Sequence, residues 1–71
     1  MIKVEFVPLT FTLYVSIDGT WRLQKAYNPK EKKSNWMILR KTGEEEFYIK
    51  MGYAPTLEAA ILEVTEIELE D

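Results

Sequence analysis

The sequence has no cysteine and no histidine among its 71 residues. Without cysteine there is no disulfide framework, no thiolate nucleophile and no zinc–thiolate centre. Without histidine the chain lacks the usual general base and the commonest metal ligand. We therefore predict a protein that is not an enzyme, that holds no metal and that needs no cofactor.

Glycine and long apolar runs are also scarce. The three glycines, Gly19, Gly43 and Gly52, each suit a turn or a bulge rather than a phosphate-binding loop. No apolar run approaches the roughly 20 residues that a membrane-spanning helix needs. The first residues, MIKVEFV, carry charges where a signal peptide would be apolar. We expect a cytoplasmic protein that does not contact a membrane.

The apolar content is sufficient for one core. Hydrophobic residues make up 46% of the sequence and aromatic residues 13%, which argues against disorder. We predict a single domain over residues 1–71. A chain of this length buries only about 60% of its unfolded surface, so it often gains stability by self-association.

Charged residues divide into a basic centre and acidic flanks. Residues 22–41 hold seven basic residues and one acid, whereas the rest of the chain holds two basic residues and eleven acids. The net charge of −3 therefore hides a segment that suits an anionic partner and a tail that suits a basic one.

Alternating apolar and polar residues predict strands in the first part of the chain. Residues 2–7 fit one strand, and Pro8 is expected to break the ladder because it has no amide proton. Residues 9–17 fit a second, continuous strand. Its odd-numbered residues are apolar and are expected to face the core, which leaves Tyr14 and Ser16 facing solvent.

The stretch IDGT, residues 17–20, predicts a hairpin turn whose length sets the register. A two-residue turn would place Val15 opposite Arg22. A three-residue loop with Gly19 in the left-handed conformation places Val15 opposite Trp21 and Tyr14 opposite Arg22. We predict the three-residue loop, which makes Trp21 a core residue.

Three further strands are predicted, over residues 20–27, 36–41 and 46–53, with a charged loop over residues 28–35. A turn around Thr42 and Gly43 would pair Ile38 with Phe47 and Trp36 with Ile49, and would set Arg40 and Lys41 against Glu45 and Glu44. Trp36, Ile38 and Phe47 would then face the core.

A change of period predicts one helix at the end of the chain, over about residues 56–68. Thr56 is a good N-cap, and an apolar stripe follows at Leu57, Ala60, Ile61, Val64 and Ile67. Residues 63–69 alternate, so an extended end is the alternative. The predicted fold is α+β: an antiparallel, twisted sheet of four to five strands with one C-terminal helix packed on one face.

The leading functional hypothesis is a small non-catalytic module that binds a protein partner, as an inhibitor or adaptor, or a second copy of itself. The face opposite the core would carry too much apolar material to remain uncovered. Its candidate partner-binding residues are Tyr14, Met37, Leu39 and Tyr48. The acidic helix end supplies a second candidate surface, with Glu63, Glu66 and Glu70.

The alternative hypothesis is single-stranded nucleic-acid binding by the basic hairpin of residues 22–41, because such proteins combine cations with stacking aromatic rings. Its candidate residues are Arg22, Lys25, Lys30, Lys32, Lys33, Arg40 and Lys41. The acidic run at residues 44–46 is predicted to be a turn that faces basic neighbours rather than a cation site.

Two short motifs, FYIKMGY and TLEAAI, follow a strand that bears a tryptophan. Over residues 35–64 this order resembles small proteins that phages and prophages encode. The resemblance implies an accessory factor that binds a host or phage component in the host cytoplasm. The order of strands and helix is also similar to the coactivator-type single-stranded DNA-binding fold, which implies a dimer that binds across its sheets.

Overall fold

The computed structural model describes residues 4–43 and 47–70, and it confirms the α+β layout. The elements are β1 (Phe6–Thr10), β2 (Leu13–Ser16), β3 (Trp21–Asn28), β4 (Lys33–Thr42), β5 (Phe47–Ala54) and α1 (Leu57–Glu70). The strands form one antiparallel sheet in chain order. We call the sheet face that α1 covers the inner face, and the opposite one the outer face.

The first two strands differ from the prediction. The continuous strand predicted over residues 9–17 is wrong, because a turn at Phe11 and Thr12 divides it into β1 and β2. Pro8 lies inside β1, opposite Tyr14. Its missing amide proton is tolerated there because β1 is an edge strand with one unpaired side. The strand predicted over residues 2–7 starts later than expected, because Val4 and Glu5 precede β1, and residues 2 and 3 lie outside the described residues.

The predicted register of the β2–β3 hairpin is also wrong. Val15 lies opposite Arg22, and Tyr14 lies opposite Leu23. Because side chains alternate between the faces of a sheet, this shift of one residue turns Tyr14 and Ser16 towards the inner face and Val15 towards the outer face. Trp21 is nevertheless fully buried, as predicted.

Side-chain hydrogen bonds explain this register. The Ser16 hydroxyl donates to Asp18 Oδ1 (2.8 Å) and accepts the Trp21 backbone N–H (2.9 Å), while the Thr20 N–H donates to Asp18 Oδ1 (3.0 Å). Gly19, at φ +78°, closes the turn by donating its N–H to the Ser16 carbonyl (3.0 Å). The Thr20 N–H and then the Ser16 hydroxyl hold the pKa of Asp18 below its ordinary value.

The β3–β4 connection is shorter than predicted. Asn28 pairs with Lys33, so the loop covers residues 29–32 rather than 28–35. The Asn28 side chain accepts the Lys30 N–H (3.0 Å) and shapes the turn, while Lys32 adopts a positive φ of 54°.

The β4–β5 register differs by four residues at the turn. Arg40 lies opposite Ile49 and Thr42 opposite Phe47, so the predicted pairs of Ile38 with Phe47 and of Trp36 with Ile49 are wrong. The predicted pairs with Glu44 and Glu45 lie outside the described residues. A bulge leaves Met51 without a partner on β4, since the residues on either side of it, Lys50 and Gly52, pair with consecutive β4 residues.

The core lies between the inner face and α1. Its buried apolar residues are Trp21, Leu23, Trp36, Ile38, Ala54, Ala60 and Val64. Both tryptophans are therefore core residues, as predicted. Phe47 shares their face, but it lies beyond the part that α1 covers and is exposed.

The helix begins and continues largely as its sequence predicts. The Thr56 hydroxyl accepts the Ala59 N–H (3.1 Å), which is an N-cap bond. The extended alternative for residues 63–69 is wrong, because α1 runs to Glu70. Ile67 packs against the core near this end. Further along the same turn, Glu68 Oε1 accepts the Trp21 indole N–H (2.6 Å). These two contacts hold the last turn against the sheet although its acids oppose the helix dipole.

Thr65 ties the start of the chain to the helix. Its hydroxyl donates to the Ile61 carbonyl (2.9 Å) and accepts the Val4 N–H (3.2 Å).

Within residues 4–43 and 47–70, no helix is both long enough and apolar enough to cross a membrane.

Candidate binding surface

The strand register arranges the outer face in rows. One row crosses all five strands through Val7, Val15, Arg22, Leu39 and Lys50. A second row contains Leu13, Gln24, Met37 and Tyr53, and Lys41 pairs with Tyr48 beside the first row. The outer face therefore combines aliphatic, aromatic and basic side chains.

Charge is fully segregated between the sheet and the helix. The strands carry Arg22, Lys25, Lys33, Arg40, Lys41 and Lys50 and no acidic residue. Helix α1 carries Glu58, Glu63, Glu66, Glu68 and Glu70 and no basic residue. A small protein with net negative charge thus presents a basic surface on one side and an acidic surface on the other.

Cation–aromatic contacts order the basic residues of the outer face. The Arg22 guanidinium carbon lies 4.5 Å from the centre of the Tyr48 ring, and Lys50 Nζ lies 5.3 Å from the centre of the Tyr53 ring. The Tyr48 hydroxyl donates to the Gly19 carbonyl (3.0 Å), so the position of the ring is fixed both by its hydroxyl and by the Arg22 contact on its face. Such contacts contribute about 0.5–1 kcal/mol each at exposed sites, which is enough to bias a side-chain position.

Three basic residues of the outer face are not paired with an acidic side chain of the described residues. In the part of the chain that the structure describes, Arg22, Lys41 and Lys50 form no ion pair. Met37 and Leu39 lie beside them and are half-buried by their neighbours, although α1 lies on the other face. The outer face is therefore a mixed apolar and basic surface without a neutralising acid on its strands.

Tyr14 does not belong to this surface, so its predicted place on the solvent side was wrong. The register change puts its ring edge-on against Trp36, with ring centres 5.6 Å apart, at the border of the core. The other candidates, Met37, Leu39 and Tyr48, do share the outer face, as predicted.

The structure divides the basic hairpin among three places. Arg22, Lys33 and Lys41 point to the outer face, whereas Lys30 and Lys32 lie in the loop between β3 and β4. Lys33 Nζ also approaches Glu31 Oε2 (3.7 Å), an exposed contact of small energetic value.

The other two basic residues of the hairpin lie on the inner face. Lys25 Nζ is 5.8 Å from the centre of the Trp36 ring, and the Arg40 guanidinium carbon is 5.1 Å from the centre of the Trp21 ring. The seven predicted cations therefore do not form one continuous track along the hairpin.

The acidic candidates lie on the opposite side of the molecule from the outer face. Glu63, Glu66 and Glu70 are exposed on α1, together with the apolar side chains of Leu62 and Leu69. The partner-binding residues named from the sequence thus form two separate surfaces of opposite character.

Sequence reasoning missed several residues of the outer face, among them Lys50 and Tyr53. The alternation of Tyr48 and Lys50 was a usable signal, but Lys50 lies outside the basic segment of residues 22–41. Tyr53 could not be placed by alternation, because the extra residue at Met51 shifts the pattern by one. An odd-numbered residue, Tyr53, therefore shares the face of the even-numbered Tyr48.

Within the described ranges, no group of three or more acidic side chains is placed to hold a metal ion. The acidic run at residues 44–46 lies outside these ranges.

Comparison of the chain with protein-family models, with curated proteins and with solved structures gave no match.

Proposed function

We propose that this chain is a small non-catalytic binding module whose outer sheet face takes an acidic segment of a protein partner. One observation carries the proposal: the outer face sets Arg22, Lys41 and Lys50, which have no ion-pair partner in the described chain, beside apolar and aromatic side chains. Interfaces of this composition use apolar contacts for affinity and charges for orientation and rate of encounter.

Two features favour a protein over a nucleic acid as the partner. Arg22 covers the ring of Tyr48, and the Tyr48 hydroxyl is engaged with Gly19, so this ring has no free face on the Arg22 side for a base. Met37 and Leu39 occupy the middle of the face, where apolar side chains of a protein partner would be complementary.

Opposite charges on the two sides support a role as an adaptor or inhibitor. An acidic partner would occupy the outer face, while exposed Glu63, Glu66 and Glu70 on α1 would meet a basic partner. The narrower proposal is a phage-type accessory factor acting in the host cytoplasm, and it rests on the order of the motifs in residues 35–64 alone.

Reversing two charges of the outer face should abolish binding of an acidic peptide. We expect a fluorescein-labelled glutamate-rich peptide to bind the wild-type protein, and the Lys41→Glu/Lys50→Glu variant to bind at least about tenfold more weakly, because two attractions become repulsions. Fluorescence anisotropy at low and at physiological salt measures both affinities.

The matched control is Lys25→Glu/Lys32→Glu, which makes the same change in net charge at one exposed residue of the inner face and one of the β3–β4 loop. It should retain affinity within about threefold of wild type. Equal losses in the two double variants would show that net charge, not the outer face, governs the interaction. Absence of binding to the wild-type protein would also contradict the proposal.

Single-stranded nucleic acid is the second candidate, because the same face combines cations with Tyr48 and Tyr53. A labelled oligothymidine in the same assay distinguishes the two. Tighter binding of the oligonucleotide than of the acidic peptide, lost in Lys41→Glu/Lys50→Glu, would replace the proposed protein partner with a nucleic acid.

A further inference from the structure

The two edges of the sheet differ in their fitness for pairing with another strand. Strand β1 is short, carries Pro8 at its centre and loses its regular register between Pro8 and Thr10. Proline and irregularity are common devices that prevent edge pairing. Strand β5 has eight residues and no proline, pairs regularly with β4 from Phe47 to Lys50 before the bulge at Met51, and has β4 as its only neighbour in the described sheet.

Strand β5 also exposes apolar side chains. Phe47 is 65% exposed, Ile49 is 50% exposed and Met51 is 42% exposed, and the three follow one another at every second position. A long edge strand with exposed apolar side chains is a site at which a further strand adds readily.

We propose that β5 pairs antiparallel with β5 of a second copy, around a two-fold axis at Ile49, and that this makes a ten-stranded sheet. Because opposite residues of an antiparallel pair share a face, Ile49 would lie against Ile49 of the second copy, and Phe47 would meet Met51 at the bulge. Tyr48 would lie against Lys50, which is a favourable aromatic–cation pair.

A second copy is the proposed partner of β5 because the residues of this strand are complementary to themselves in the antiparallel orientation. In the register centred on Ile49, each of the three exposed apolar residues meets another apolar residue, and no like charges meet. Moving the axis to Lys50 would set the two Lys50 side chains against each other, which is destabilising. Tyr48 and Lys50 belong both to this edge and to the outer face, whereas Ile49 lies on the inner face, so substitution of Ile49 tests the dimer separately from the proposed function.

A single pair of strands buries a small area, so a weak dimer is expected, with a dissociation constant of roughly 10–100 µM. Sedimentation equilibrium of the wild-type protein should show it. Ile49→Lys should be monomeric over the same concentrations, because the variant places two lysines against each other at the axis. A folded far-ultraviolet circular dichroism spectrum is required of each variant.

Phe11→Lys is the matched control, because Phe11 is an exposed apolar residue (98%) in the β1–β2 turn rather than on β5. It should dimerise like the wild type. A wild-type protein that stays monomeric up to about 1 mM would overturn the proposal. Equal dimerisation of Ile49→Lys and the wild type would overturn it too.

The absence of cysteine from the sequence permits a direct test of the register. Ile49→Cys should form a disulfide-linked dimer under mild oxidation, because side chains that face each other across antiparallel strands have Cβ atoms about 4.5–5.5 Å apart. Phe11→Cys should form it much more slowly. Equal rates of cross-linking in the two variants would overturn pairing centred on Ile49.

Discussion

Replacing Val64 with aspartate should unfold the domain, whereas the same replacement at Leu62 should leave it folded. Val64 is fully buried between α1 and the inner face, and a carboxylate there would lose its hydration without gaining a partner. Burial of such a group costs several kcal/mol, and a domain of this size has only about 5 kcal/mol of stability. Circular dichroism at 20 to 25 °C, followed by urea titration, measures the outcome.

Leu62 is the matched control because it lies on the same helix and is 54% exposed. Leu62→Asp should change the free energy of unfolding by less than about 1 kcal/mol. Comparable destabilisation at the two positions would mean that the helix does not pack through Ala60 and Val64, and the assignment of the inner face would fail.

Truncating Trp21 to alanine should lower the free energy of unfolding by about 3–5 kcal/mol. Its ring is fully buried, lies under the Arg40 guanidinium and donates its indole N–H to Glu68. Trp21→Phe retains most of the buried apolar area but removes the donor, so the loss should be smaller, about 1–2 kcal/mol. Urea denaturation monitored by circular dichroism gives both values.

Two further variants separate packing from the hydrogen bond. Glu68→Gln keeps an oxygen acceptor for the indole N–H and should cost less than Trp21→Phe. Tyr27→Ala removes an exposed ring from the same strand as Trp21 and should change stability by less than about 0.5–1 kcal/mol. If Trp21→Ala and Tyr27→Ala had equal effects, Trp21 would not be the centre of the core.

The elements that the sequence predicts well are those with strong local signals. The apolar stripe from Leu57 to Ile67 and the Thr56 cap predict α1 because helix periodicity and capping depend on residues a few positions apart. The burial of Trp21 and Trp36 was predicted correctly from two registers that are wrong. It holds because Trp21 alternates in phase with Leu23, and Trp36 with Ile38, whatever the pairing of their strands.

Register could not be derived from periodicity alone. The hydroxyl of Ser16 takes the place of a backbone partner for Trp21, and this bond changes which face Tyr14 occupies. The apolar residues of the β1–β2 region suggested the reverse, because Leu9, Phe11 and Ile17 are all exposed in the folded chain. A binary pattern carries little information where the apolar side of a hairpin faces outwards.

The candidate surface was predicted in part for the same reason. Met37 and Leu39 alternate with the core residues Trp36 and Ile38. The predicted β4–β5 register was wrong by four residues, an even number, so it still placed Tyr48 on the face of Met37 and Leu39. Tyr53 follows the bulge at Met51, and a bulge depends on how two strands meet rather than on either sequence alone. The basic segment was visible in the sequence, but its division between two faces required the strand pairing.

Opposite charges on the sheet and the helix give the molecule two distinct sides. The outer face carries basic residues and its strands carry no acidic residue, so the charges that share this face repel one another. An acidic partner would relieve that repulsion and cover Met37 and Leu39 in the same step.

The most direct measurement is a titration of the ¹⁵N-labelled protein with an unlabelled glutamate-rich peptide, followed residue by residue through amide chemical shifts. We expect saturable shifts at Leu39, Lys41, Tyr48 and Lys50, and little change at exposed helix residues such as Glu63. Shifts confined to α1, or spread equally over both sides of the sheet, would contradict the outer face as the binding surface.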